Sequence, residues 1–361
     1  MGLPFTFWQT FSSAASTFDF SVNTANSGTS TSTQFNLPLV NAGAINFVVD
    51  WGDGTSDTIT SYNQAETLHT YPSSGIYNIS ISGIVLGWKF NNGGDKDKFL
   101  SISNWGEFNV SEDKTFQRCE LLTTISATDS PTISSTDLGE MFQNCFLLTN
   151  FDVSNWDVIN VTDMTSLFQN CDAMTTINCD NWNVGNVEIF RRMFTSANSL
   201  VTLNLASWNV SSATNMQLMF GTSNSLTSIG DISSWDVSSV TNMSSTFSCQ
   251  LLQSVNYTGN WDVSSVVNMS NMFDGNDEIN ISLANWTITQ VLNFYRFMRN
   301  STGLTTANYD ATLISWAAQT PSLNESPNFG GSTYTLGGTA EAARNTLINT
   351  YGWTITDGGG V

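Results

Sequence analysis

The chain has 361 residues, 30 of them acidic against ten basic, for a formal net charge of −20. Phosphate binding depends on Lys and Arg, so this balance argues against a nucleic-acid partner, and an anionic membrane surface would repel the chain. At 40% apolar residues the chain is not a disordered acidic tail, and no stretch approaches the ~20 apolar residues of a transmembrane helix.

The first forty residues hold no Lys or Arg and no long apolar run, so no cleaved secretory leader is expected. Met1-Gly2-Leu3-Pro4-Phe5-Thr6 fits the loose N-myristoylation pattern but lacks the polybasic partner that a single acyl chain needs. Phe18–Val22 and Phe35–Leu39 alternate as short strands between polar turns. Ile45–Asp50 reads as a strand entering the Asp-Gly turn at Asp53-Gly54, and Gly75–Gly83 alternates cleanly. Asp50, Asp53 and Asp57 cluster near that turn and are the candidate Ca²⁺ ligands, although the spacing of an EF-hand is absent. His69 is the single histidine, and its His-Thr-Tyr setting reads as a structural strand residue.

Three motifs in order, Trp51-Gly52-Asp53-Gly54-Thr55, His69-Thr70-Tyr71 and Gly75-Ile76-Tyr77-Asn78-Ile79-Ser80-Ile81, resemble a PKD-type β-sandwich. The resemblance implies a non-catalytic spacer or ligand-presenting module over residues 1–92. Asn91–Lys98 reads as the junction between this module and the rest of the chain.

From about residue 104 the sequence repeats. Trp156, Trp182, Trp208, Trp235, Trp261 and Trp286 recur at intervals of 26, 26, 27, 26 and 25 residues. Phe168, Phe194, Phe220, Phe247 and Phe273 follow the first five at a constant offset, and Phe116 and Phe142 extend that series backwards. A fixed period of this length with apolar anchors predicts a leucine-rich-repeat-type α/β solenoid. Val237, Val240, Met243 and Phe247 are spaced as one face of a short helix, and Leu200–Leu205 alternates as one strand. Cys119, Cys145 and Cys171 share one repeat position and read as a small buried residue stacked in a column, while Cys179 and Cys249 stand alone. Free thiols fit a reducing compartment, and no zinc-site spacing is present.

The unit Trp-Asp-Val-Ser-x-Val-x-Asn-Met-x-x-x-Phe, at Trp235–Phe247 and Trp261–Phe273, resembles the BspA-like leucine-rich-repeat proteins. The resemblance covers about residues 35–358. It implies a surface protein that adheres to cells or matrix, and related arrays occur in phage-encoded proteins. Helices are expected at Ala307–Ala317 and Thr339–Asn349. The expected fold is therefore an N-terminal all-β PKD/Ig-like sandwich (1–92), an α/β leucine-rich-repeat-type solenoid (93–300) and a C-terminal helical cap (301–361).

No phosphate loop, metal cluster or activated nucleophile is visible, so no cofactor and no enzymatic activity are expected. Asp157, Asp236 and Asp262 follow Trp in their repeats where Asn183 and Asn209 stand elsewhere. A carboxylate exchangeable with Asn caps turns; a catalytic one is unique. That also counts against a carbohydrate-active enzyme built on paired acids. Arg191-Arg192 is the one basic pair, able to anchor a carboxylate or simply to be solvated. Sequons such as those at Asn209, Asn242 and Asn268 coincide with residues the repeat already requires. The functional expectation is a non-enzymatic phage virion protein at the virion surface, such as a capsid decoration, knob or fibre-associated protein. Its expected partners are other virion or surface proteins at the N-terminal domain and a host receptor or glycan on the repeats, with no nucleic acid and no membrane insertion. The alternative is an extracellular, cell-surface adhesin.

Overall fold

The computed structural model describes residues 16–252 and 261–361. The residues carrying the myristoylation pattern lie outside them.

The N-terminal part is all β. Strand β1 (Phe18–Asn23) alternates, with Phe18, Phe20 and Val22 buried and Asp19, Ser21 and Asn23 half-buried. Along the chain come β2 (Gln34–Asn36), β3 (Phe47–Asp50), β4 (Ser56–Ile59), β5 (Leu68–Thr70) and β6 (Ile76–Ser82). Next are β7 (Phe99–Asn104), β8 (Asn109–Val110), β9 (Thr124–Ile125) and β10 (Thr132–Ile133). The main sheet has the order β4-β3-β6-β1-β7-β9, and β2–β5 and β8–β10 form two-stranded sheets. β1 is central and antiparallel to both β6 and β7, whereas β7 and β9 run parallel. Phe20 meets Phe35 of β2 at 6.2 Å and the edge of Trp88 at 5.4 Å, which closes the core between the two layers.

One buried ion pair ties this region together. Lys98 and Asp95 are both fully buried. The Lys98 ammonium donates to the Ser30 carbonyl (3.2 Å), Ser30 Oγ (2.7 Å), and the Thr31 and Gln34 carbonyls (2.7 and 2.9 Å). Asp95 accepts the Ser30 and Asn36 N–H groups at 2.9 and 2.8 Å. Such a pair is tolerable only because its remaining hydrogen-bonding capacity is filled. Gly28 makes room for it, since a Cβ there would lie 2.4 Å from Asp95 Oδ1.

The expected α/β leucine-rich-repeat solenoid is overturned. Between residues 111 and 305, extended pairing among the described residues shrinks to two-residue strands and isolated bridges, and no α-helix occurs. Among the described residues the fold is mostly β with two α-helices. Parallel bridges still step along the chain by one period, from Asp137↔Asp163 and Asp163↔Ile189 to Asn268↔Asn293, so the repeats are stacked coils made of turns. The residues spaced as a helix face cannot form one because the backbone turns left-handed once at Ser245 in the Phe247 coil and twice in the coils before it. Glu140, Ser166, Arg192 and Leu218 have φ of 57–58°, and Asn144, Asn170, Ser196 and Thr222 have φ of 55–61°. A helix would send each N–H to the carbonyl four residues back. Here Phe168 N–H donates to the Met193 carbonyl, Phe194 to Met219 and Phe247 to Met272, at 2.9, 2.9 and 3.0 Å, always into the following coil.

The aromatic anchors stack in two columns. Neighbouring Phe rings from Phe116 to Phe273 lie 5.6–6.0 Å apart, and Trp156, Trp182 and Trp208 are 6.4 and 6.5 Å apart. The indole N–H groups of Trp182, Trp208 and Trp235 donate to the Val153, Cys179 and Leu205 carbonyls of the preceding coil. Trp156 Nε1 is buried without a partner, and its ring turns edge-on to Trp105 where Ser130 interrupts the column.

The chain closes with α1 (Thr306–Ala317), capped by Thr305, and α2 (Thr339–Tyr351), ended by left-handed Gly352. Arg344 bridges Asp357 at 2.8 Å, and Tyr309 OH donates to the same carboxylate. No described helix is long and apolar enough to cross a membrane. Of the expected fold class, the all-β N-terminal part is what the structure supports.

Candidate binding surface

The β3–β4 hairpin holds Asp50, Asp53 and Asp57, each with its own partner. Asp50 accepts the Gly52 N–H at 3.0 Å, and Asp57 accepts the Trp51 indole N–H at 2.8 Å. Asp53 accepts the N–H and hydroxyl of Thr55 (3.0 and 2.6 Å) and contacts His69 Nε2 at 2.9 Å. Burial works to raise the Asp53 pKa, but these bonds from Thr55 and His69 bring it below the usual carboxylate range. Trp51 stacks on His69 with centroids 4.6 Å apart, which makes the histidine part of an aromatic layer. Among the described residues, no group of three or more His, Cys, Asp or Glu is placed to hold a metal ion.

In the coils, two columns of Asp and Asn brace turns. The carboxylates of Asp157, Asp236 and Asp262 accept the N–H two residues on, at 3.2, 3.0 and 2.9 Å. Asn183 and Asn209 do the same with their amide oxygens. Hydrogen bonds from Ser238 and Ser264 hold Asp236 and Asp262 below the ordinary carboxylate range. The second column, which sequence reading did not single out as one, comprises Asp137, Asp163, Asn215, Asn242, Asn268 and Asn293, with the same contact at 2.6–3.0 Å. These bonds are local, and none links a carboxylate to a nucleophile or a second acid.

An open, shallow groove runs across successive coils. One part, about 390 Å³, is lined by Asn150, Phe151, Asp152, Thr176, Ile177 and Asn178. The next part, about 450 Å³, shares Thr176, Ile177 and Asn178 and adds residues of the following coil, including Thr202 and Asn204. Asn150 fixes the rim, its amide oxygen accepting the Thr175 and Thr176 N–H groups at 2.8 and 3.0 Å. The groove offers hydroxyls and amides to a polar ligand, with the carboxylates of Asp152 and Asp180 also in its lining.

All five cysteines are free and buried. Cys145 and Cys171 Sγ donate to the Phe116 and Phe142 carbonyls of the preceding coil. Ser223 and Cys249 make the same bond, to Phe194 and Phe220. Cys249 therefore belongs to the column, hidden in the sequence by a one-residue deletion after Phe247. Burial pushes these thiols far from reactivity, with Cys249 raised to about 12. Two further residues escaped sequence reading. Glu325 Oε2 accepts the Phe294 N–H at 3.0 Å, standing in for the carbonyl that a further coil would supply, and Gln319 accepts the Ile288 N–H at 2.8 Å. Burial raises the Glu325 pKa against the effect of the Phe294 bond. Both lie in an irregular segment where no periodicity marks them.

Searches of curated proteins and of solved structures return no match. The chain does match the family described as "Mycoplasma protein of unknown function, DUF285" over residues 110–229 and again over 223–326. The two matches overlap, and together they bracket the stacked coils from Val110 to Ser326. Because they span more than half of the sequence, the chain belongs to the DUF285 family.

Proposed function

We propose that the protein is a non-enzymatic surface module that presents its stacked coils as a binding face. The observation that carries this reading is the way acidic groups are spent in the coils. Aspartates that recur there, and the asparagines that replace them, brace turns by accepting the N–H two residues on. The polar surface left over is a repeated lattice of hydroxyls and amides that continues from coil to coil, a form suited to extended ligands.

In the leading version the module sits on a phage virion, as a capsid decoration, knob or fibre-associated protein, with the N-terminal sheets as its anchor. The buried, unpaired cysteines support assembly in a reducing cytoplasm, and the strongly acidic exterior suits a particle that must not adhere to nucleic acid. The second reading, a cell-surface adhesin, is favoured by the likeness of Trp235–Phe247 and Trp261–Phe273 to BspA-like surface proteins. Mass spectrometry of purified phage particles separates the two. Tens to hundreds of copies per particle are expected for a virion protein. Absence from particles, with the chain on intact cells, replaces that version with the adhesin.

A further inference from the structure

Arginines 191 and 192 stand out by what they lack. Lys89, Lys96, Lys98, Lys114, Arg118, Arg299 and Arg344 all have an acidic partner within 4 Å. Among the described residues only Arg191, Arg192 and Arg296 have none, and Arg296 lies over the Tyr295 ring at 4.7 Å. In a chain with three acids for every base, two adjacent half-buried cations without a carboxylate are unexpected. Arg191 is held in place by its Nε–H donating to Gln217 Oε1 at 3.2 Å. Burial and the neighbouring Arg191 charge both lower the Arg192 pKa, so mutual repulsion goes unrelieved.

Their surroundings are equally selective. Along the strip that carries them, the four consecutive equivalent segments 164–171, 190–197, 216–223 and 243–249 contain no Asp or Glu, while the flanking segments carry Glu140, which accepts from Gln117, and Asp274, which bridges Arg299. The acid nearest the pair in sequence, Glu188, is exposed and forms no ion pair with either arginine, while Asp163 is bonded to the Thr165 N–H and Asp172 to Asn198. Along the strip the side chains form hydrogen-bonded columns, such as Gln143 to Gln169 at 3.0 Å and Ser196 with Thr222 at 2.8 Å. These four coils of the strip are thus free of acids, rich in hydroxyls and amides, and positive at the arginine pair, on a molecule that is otherwise strongly acidic.

We propose that Arg191 and Arg192, with the stacked Gln, Asn, Ser and Thr side chains beside them, bind an acidic polysaccharide, a polymer of uronic acids lying along the coils. Guanidinium groups match carboxylates in a two-pronged geometry, and the flanking hydroxyls and amides match sugar hydroxyls. An acidic peptide fits less well. Peptide sites rely on apolar anchor pockets or an open strand edge, whereas alternate N–H groups of this strip are already bonded to the next coil. The proposal rests on the binding-module reading but fails separately from it, since location on particles or cells does not depend on the ligand.

The test is calorimetric titration of the full chain with an oligogalacturonate, its methyl-esterified counterpart and poly-glutamate. Binding of the free acid alone is expected, weakening by about tenfold or more in R191Q/R192Q and not in R296Q. R191K and R192K, which keep the charge, are expected to weaken binding through loss of the fork, and they serve if the double glutamine variant does not fold. Unchanged affinity in the arginine variants, equal binding of the methyl ester or of poly-glutamate, or no binding to the original chain overturns the proposal.

Discussion

The N-terminal sheets and the stacked coils supply partners to buried polar groups by opposite means, each leaving a few aromatic donors such as Trp88 and Trp156 without one. In the sheets a single charged pair, Lys98 with Asp95, gathers the loop around Ser30 through bonds that occur once. In the coils the bonds are neutral and repeat, with Trp182, Trp208 and Trp235 each donating to the preceding coil. The unique arrangement concentrates its vulnerability at one place. The repeated one spreads it, because each coil contributes the same kind of contact to its neighbours.

The largest expected effect breaks the unique side of this contrast. Lys98→Met leaves Asp95 buried without its cation and should cost about 3–5 kcal/mol in denaturant unfolding. A loss below ~1 kcal/mol would mean that the pair is not a keystone. Phe194→Ala and Phe220→Ala each open a cavity in the fully buried Phe column and should cost about 3–5 kcal/mol. The two losses should agree closely, and a large disparity would show that the coils are not equivalent. Trp208→Phe keeps the stack but removes one of two donors to the Cys179 carbonyl, which retains the Trp182 N–H, for an expected loss of about 0.5–1.5 kcal/mol.

Ala197 sharpens the comparison in the other direction. It occupies the position at which Cys171 and Ser223 donate to a preceding carbonyl, and it has nothing to donate. Ala197→Ser should therefore stabilise the chain by about 0.5–1.5 kcal/mol, seen as a raised urea midpoint with an unchanged slope. The smallest effect is Asp236→Asn, expected within about 0.5 kcal/mol at neutral pH because Asn209 fills the same role. Ser238 depresses the folded pKa of Asp236, so the stability it lends is present above the unfolded value of about 3.9 and is lost as pH falls through the folded one. The variant should flatten the acid limb of the stability–pH curve, and an unaltered limb would assign the acid sensitivity elsewhere.

Much of the architecture could be read from residue spacing. The period was plain because Trp and Phe are large and their removal from water drives the stack, and the helices near Thr306 and Thr339 lie where continuous patterning placed them. The coil backbone was misread for a physical reason. Apolar spacing of three and four normally reports a helix, yet here left-handed residues with ordinary side chains, such as Leu218 and Arg192, produce the same spacing from turns. Glycine would have advertised those positions, but among the described coils only the one after Phe273 carries it, as Gly275. The Asp and Asn turn contacts could be anticipated from their interchange, whereas the isolation of Arg191 and Arg192 depends on what folding places beside them.

The donors that point from Phe168, Phe194 and Phe247 into the following coil give the column a sense, as an arrow has a head and a tail. Its tail is received by the N-terminal region, where Phe90 N–H meets the Thr115 carbonyl, and its head is stopped by the Glu325 carboxylate on Phe294. A stack with such ends can be lengthened by inserting whole coils in the middle, where each newcomer presents the same acceptors behind and donors ahead. It cannot be reversed or trimmed at the head without baring unanswered N–H groups. Length is thus a freely adjustable property of this protein, while the two ends are not.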